Sequence, residues 1–183
     1  MAWLQGGAFA LGTLVLVALS WRALQRPKSH GFYRFFAWEA ILALLVLNGP
    51  QWFVDRFSAH QLVSWALLFA SLLVLFPGLY QLRRMGRPNE QRTDAELFAF
   101  ERTSQLVTSG IYSHIRHPLY ASLLLAWGVA CKQPNCLSWN LALLASLALW
   151  LTAKCDETEC LAQFGEAYRD YMQRSKMFIP WLL

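Results

Sequence analysis

The densest run of reactive side chains lies between Leu106 and Tyr120, where the chain reads L-V-T-S-G-I-Y-S-H-I-R-H-P-L-Y. Pro118 suits the first turn of a helix, because the N–H it lacks has no partner there in any case. Arg116 and His117 then stand at a helix start, where free backbone N–H groups and a guanidinium together make an anion site. The same residue types also anchor helices at membrane interfaces. A second cluster, Asp156, Glu157 and Glu159, carries three carboxylates within four positions. On a solvated helix such a cluster is an ordinary charged face. Brought beside Arg116 and His117, it would instead hold the positive end of a zwitterionic ligand whose negative end meets the cations. Which role applies depends on the elements that position the two clusters.

Those elements are membrane helices. Hydrophobic residues make up 56% of the 183 residues and charged residues 15%, well under the quarter or so usual in soluble domains. This much apolar surface excludes an intrinsically disordered chain, and four cysteines are too few for a disulfide scaffold. The net charge of +5 does not point to nucleic acid, because the charges fall in clusters between long uncharged runs, the pattern of membrane proteins. Met1–Trp21 is uncharged; no basic residue precedes Arg22, so a retained span is expected there rather than a signal peptide. The expected fold class is all-α, a polytopic bundle of five transmembrane helices forming one membrane domain over residues 1–183. The spans are placed at about 3–21, 35–54, 61–82, 117–131 and 136–153. The fourth run is short, with 14 uncharged residues from Pro118 to Cys131. It is read as one arm of a helical hairpin with the fifth, turning at Lys132-Gln133-Pro134-Asn135.

Fourteen of the sixteen Lys and Arg residues fall on one side of this arrangement, with only Arg56 and Lys132 on the other. The positive-inside rule then places the N-terminus outside and the C-terminus in the cytoplasm. Residues 83–116 become a cytoplasmic loop. A cytoplasmic helix is expected over 156–175, with Leu161, Phe164, Tyr168 and Tyr171 on one face and Gly165 as a tolerated interruption. The hairpin has its open end inside, so the acidic cluster returns to the side of Arg116 and His117.

Taken with this topology, L-V-T-S-G-I-Y-x-x-x-R-H-P-x-Y resembles the signature of the isoprenylcysteine carboxyl methyltransferase family, and of the related phospholipid methyltransferases in looser form. The ending resembles it as well: acidic residues, Leu161, Phe164-Gly165-x-x-Tyr168-x-x-Tyr171, then Ile179-Pro180. The resemblance covers roughly residues 83–183; the first three spans match in hydropathy alone. It implies an integral-membrane enzyme that uses S-adenosylmethionine. By the same resemblance, residues 83–116 form a cofactor-binding loop. Cofactor contacts are implied for Ser104, Gln105, Leu106 and Val107, for Gly110 and Tyr112, for His117, Pro118, Leu119 and Tyr120, and for Glu157. Arg116, His117 and Glu157 are the implied catalytic residues. Tyr112 and Tyr120 would face the sulfonium or stack on adenine. Glu157 would meet the amino group or ribose, and Arg116 or His117 the carboxylate. The family usually has paired glutamates where this chain has Asp156-Glu157, with Glu159 two residues on.

The acceptor is less constrained. Members that methylate prenylcysteine carry an arginine in or after the last span, and residues 137–153 contain none. Lys154 is the nearest cation and a poorer bidentate partner. Glu39, inside the second span, is a second candidate for substrate binding, since acids within a membrane helix are functional by default. The expected substrate is lipophilic or small and apolar and enters from the bilayer, among membrane lipid. A prenylcysteine-type carboxylate is favoured, with a small thiol or a phospholipid amine as alternatives, and a catalytically silent interaction protein as the alternative of another class. No metal is called for. Cys131/Cys136 and Cys155/Cys160 fall on opposite sides of the membrane and cannot share one ion, while a disulfide between Cys131 and Cys136 is open.

Overall fold

The computed structural model describes residues 2–86, 103–125 and 127–182. Its elements are α1 (Ala2–Leu24), α2 (His30–Asn48), α3 (Ala59–Met85), α4 (Pro118–Leu124), α5 (Trp127–Ala130), α6 (Cys136–Phe164) and α7 (Glu166–Arg174). Short 3-10 turns occur at Gly49–Gln51 and Gly110–Ser113. One isolated parallel bridge pairs Ile115 with Lys176. The fold is all-helical, as expected.

Helix starts follow local chemistry. Ser29 accepts a hydrogen bond from Phe32 N at 3.2 Å to open α2, and Asn135 accepts one from Ser138 N at 2.8 Å to open α6. Within the bundle α2 packs on α6 and α1, and α3 on α4 and α5. One face of α6 carries Ala142, Ala145, Ala148, Thr152 and Ala153, all buried. Small side chains let neighbouring backbones approach closely, which is how helices gain packing energy where lipid removes the hydrophobic drive. The outer faces stay apolar: Phe69, Leu73, Phe76, Leu143 and Leu147 are all more than half exposed. In water, such a surface would be an aggregation liability; in a bilayer it is the lipid contact.

Among the described residues four helices are long and apolar enough to cross a membrane: α1, α2 with its following turn, α3 and α6. They fit a multi-pass membrane protein. The fourth expected span, 117–131, is different. It is split into α4 and α5 by a break after Leu124, and Pro118–Ala130 reaches only about 20 Å at 1.5 Å per residue, short of a hydrocarbon core of about 30 Å. Of the expected loop, residues 83–85 prolong α3 and residues 87–102 lie outside the described residues.

The expected helix at 156–175 also needs correction. α6 runs unbroken past the end of the uncharged run at Ala153 to Phe164, about 43 Å in all. Its last three turns, with the acidic cluster, therefore stand beyond the apolar segment. Gly165 is the break, not an interruption: its φ of +58° is open to glycine and strained for other residues, and it reverses the chain into α7. At the opposite end of the bundle Lys132, placed in the expected turn, is buried. Its Nζ donates to Gln61 Oε1 at 3.0 Å and lies 3.3 Å from the Trp65 ring centroid. All four cysteines are free thiols.

Candidate active site

The two sequence clusters meet. A cleft opens between the Thr103–Tyr120 segment, the end of α6, α7 and the start of α2, with about 850 Å³ of empty space that includes its solvent-open mouth. Gly110 shapes its near wall. With φ at +60° it turns the chain against α3, where a Cβ would fall 1.9 Å from the Gln81 side chain; Gln81 Oε1 then accepts from Ile111 N at 3.1 Å. The 3-10 turn that follows sends Tyr112 inward, its hydroxyl 3.4 Å from Gly78 O. Pro118 opens α4 with His117 as the N-cap residue. The His117 ring stacks on Tyr120 at 5.4 Å between centroids, interplanar angle 21°.

The far wall is one stripe of α6: Asp156, Glu159, Cys160, Gln163 and Phe164, at the i, i+3, i+4, i+7, i+8 spacing of a single helix face. Asp156 Oδ2 lies 3.4 Å from His117 Nδ1, and its side chain is 27% exposed. Glu159 is held by His30 at the start of α2: His30 N donates to Oε1 at 3.0 Å, and Nδ1 lies 2.6 Å from Oε2. The ligand atoms of His30, Asp156 and Glu159 lie within 4.8 Å of one another, a grouping that suits a small cation.

Glu157 points elsewhere. One position along the helix turns it about 100° from Asp156, out of the cleft wall and against Arg116. Arg116 Nε and Nη2 reach Glu157 Oε1 at 2.9 and 2.7 Å, and Nη1 donates to the carbonyls of Met172, at 3.2 Å, and Ser175. The pair is buried, with side chains 9% and 5% exposed. Every nitrogen of the guanidinium thus has a protein partner. Lys154, 48% exposed, adds a contact to Glu157 Oε2 at 3.2 Å.

Both carboxyls lie beyond the uncharged part of α6, and both are strongly acidic. Burial alone would raise them. The hydrogen bonds and charge of His117 outweigh it at Asp156 and bring the carboxyl to about 2; at Glu157, His117 and Arg116 together do the same, also to about 2. Burial pushes the Tyr168 and Tyr171 phenols in the opposite direction, far above their usual value. They stay neutral, and Tyr171 donates its hydroxyl proton to Tyr112 O at 2.6 Å.

Of the residues singled out in the sequence, Gln105, Leu106, Val107, Tyr112, Arg116, His117, Pro118, Leu119 and Tyr120 line the cleft. Ser104, Gly110, Glu157 and Lys154 are outside its lining, though Gly110 and Glu157 hold residues that form it. Glu39 is apart from it. α2 begins at His30, so Glu39 is about 14 Å along the helix, deeper than its expected place near the span's start. It accepts from Thr13 Oγ1 at 3.0 Å and borders a separate apolar cleft with Phe9, Phe36 and Leu144. Sequence reasoning passed over His30, Gln163 and the inward placement of Tyr168 and Tyr171. The α6 stripe was a readable signal for Gln163; nothing local marks His30, which is 129 residues from its partner.

The family model for phospholipid methyltransferases matches residues 60–168. The chain belongs to the phospholipid methyltransferase family. It is similar to methanethiol S-methyltransferase 2 of Bradyrhizobium diazoefficiens, 26% identical over 94% of this chain and 58% of that one. Methanethiol S-methyltransferase 1 of the same organism is 27% identical over 64% of this chain and 39% of its own length. Delta(14)-sterol reductase of Mus musculus is 32% identical over 38% of this chain and 18% of its own. The chain thus spans about two fifths and three fifths of the two methanethiol methyltransferases. No solved structure matches it. The family match covers α3 through the start of α7, both walls of the cleft included, and leaves out His30 and the tail after Tyr168.

Proposed function

We propose that this protein is a multi-pass membrane methyltransferase that moves the methyl group of S-adenosylmethionine to a small thiol. One observation carries the reading: the motif 106–120 and the acid stripe of α6 face each other across a single cleft. The donor set fits that cofactor. Asp156, ionised and open to the cleft, is placed for the cofactor's ammonium. The Tyr112 and Tyr120 rings suit a sulfonium, worth about 0.5–2 kcal/mol per cation–ring contact. Backbone and side chains of Gln105–Val107 line the side where adenine would lie. When bound, the cofactor supplies an electrophilic methyl on a positively charged sulfur.

The chain's contribution is positioning and the exclusion of water. Holding the acceptor in line with the methyl group can supply roughly 7–11 kcal/mol of the barrier at best. A thiol ionises near 8.5, and its thiolate needs no strong base. A thiol can approach the acidic wall of Asp156 and Glu159 uncharged at neutral pH, as a carboxylate cannot. Lys154, the counter-charge a prenylcysteine carboxylate would need, is turned to Glu157 instead. The names of the two Bradyrhizobium relatives favour a thiol; that of the family favours a phospholipid as the second reading.

Isothermal titration with S-adenosylhomocysteine tests the cofactor. Transfer of labelled methyl to an alkanethiol, a prenylcysteine mimic and phosphatidylethanolamine in parallel tests the acceptor. Thiol-only transfer is expected; exclusive transfer to either lipid-type acceptor refutes the thiol reading, and absence of cofactor binding refutes the whole. In the membrane we place the N-terminus outside and the cleft, α7 and the C-terminus in the cytoplasm, with α4–α5 and α6 as a hairpin completing five crossings. The support is the partition of basic residues. Tags at the C-terminus and beside Lys132 must then lie on opposite sides.

A further inference from the structure

The tail beyond α7 does not line the cleft, yet it is stitched to the residues that do. Arg116 N donates to Lys176 O at 2.7 Å, His117 N to Met177 O at 3.1 Å, and Lys176 N to His114 O at 3.0 Å. Met177 and Phe178 are buried, and the Phe178 ring packs against His117 at 6.2 Å. One turn earlier, Tyr171 bonds to Tyr112 O. The Arg116 side chain closes the same seam, joining Glu157 on α6 to the carbonyls of Met172 and Ser175. To reach a ligand's carboxylate, this guanidinium would have to abandon a buried carboxylate and two backbone carbonyls.

We infer that Arg116 is a positioning residue: it straps the C-terminal tail against the motif, and so fixes the inward orientation of Tyr112, His117 and Tyr171 toward the cofactor. The inference rests on the cofactor reading above. It assigns Arg116 no contact with cofactor or acceptor, and it makes the tail, which lies past the family-matched residues, part of what builds the site. Three segments converge on one side chain: the motif, α6, and the junction of α7 with the tail. A planar fork of fixed N–H groups suits that junction, and the single point charge of a lysine does not.

Hydrogen exchange and calorimetry on the full chain in detergent separate the possibilities. Arg116→Gln is expected to speed amide exchange in peptides carrying Ile115–His117 and Lys176–Met177, without cofactor present. It should also weaken S-adenosylhomocysteine binding at least tenfold, about 1.4 kcal/mol, and leave the acceptor KM at saturating cofactor unchanged. Arg116→Lys should recover only part of the affinity. Lys176→Pro removes the Lys176 N–H from the seam and keeps the Arg116 side chain, and should reproduce both effects if the first variant folds poorly. Unchanged exchange in these peptides overturns the proposal, as does faster exchange with full cofactor affinity. A raised acceptor KM with intact cofactor binding would make Arg116 an acceptor ligand and overturn it too. A parent protein that binds no S-adenosylhomocysteine refutes the methyltransferase reading itself, a result visible before any variant is made.

Discussion

Asp156 and Glu157 are adjacent in sequence and should fail in opposite ways when neutralised. Glu157 is 5% exposed and shares its charge with Arg116, 9% exposed, at 2.7 and 2.9 Å. Glu157→Gln keeps the shape but leaves a buried guanidinium without its counter-charge. Breaking such a pair costs about 3–5 kcal/mol; the amide oxygen can still accept one hydrogen bond, so the lower end applies. At roughly 2–4 °C per kcal/mol for a chain of this size, the ligand-free melting temperature should fall by roughly 6–12 °C. Asp156 is 27% exposed, and its His117 contact is looser at 3.4 Å. Solvent screens part of that interaction, so Asp156→Asn should cost about 1 kcal/mol or less in stability and shift melting by no more than about 4 °C. Its effect should appear in binding instead, as a tenfold or greater loss of S-adenosylhomocysteine affinity, about 1.4 kcal/mol. Melting curves with and without ligand, together with calorimetry, read both quantities. If Asp156→Asn melts like Glu157→Gln and binds like the parent, the assignment of the cleft-facing acid is wrong.

Other perturbations follow from the same geometry. Both carboxyls are held at about 2, so the stability they contribute is complete above about pH 4.5 and is lost only as pH falls toward 2. With neither carboxyl titrating from pH 6 to 8, kcat/KM for a thiol acceptor should rise with pH there, following the thiolate, until His117, which burial would lower but Asp156 and Glu157 hold above its usual value, loses its proton; a flat profile refutes a thiolate nucleophile. Gly110→Ala must leave a left-handed conformation or displace Gln81; it should weaken cofactor binding and cost at least about 1 kcal/mol of stability in thermal melts. Lys132→Met removes the cation from the Trp65 and Trp52 rings and strands Gln61 Oε1. It should destabilise by about 1–3 kcal/mol with cofactor affinity intact, because the site is at the other end of the bundle.

The sequence marks what is local and periodic. Uncharged runs located α1, α3 and the apolar part of α6, because a bilayer demands such runs and little else tolerates them. Arg116-His117-Pro118 marked the start of α4, since proline at the first helical position is a local rule. The boundary after Ala153 was misplaced for a physical reason: the charges at Lys154–Glu159 end the lipid-compatible segment, but nothing in them ends a helix, and only Gly165 does.

The harder question, which acid faces the cleft, turns on rotation about the α6 axis. Leu149, Ala153 and Glu157 follow one another at i, i+4, i+8 and are all buried, so the row that packs α6 into the bundle carries Glu157 with it toward Arg116. Asp156 belongs to the neighbouring row with Thr152, Glu159, Cys160 and Gln163. A sequence holds both rows and does not say which of them meets the protein interior. That choice is made by α2, whose close packing on α6 sets its rotation and whose first residue, His30, grips Glu159 by both oxygens. The identity of the cleft acid is therefore decided by a helix outside the family-matched residues, which is why motif and spacing together could bring the acidic cluster to the site and still leave its active member open.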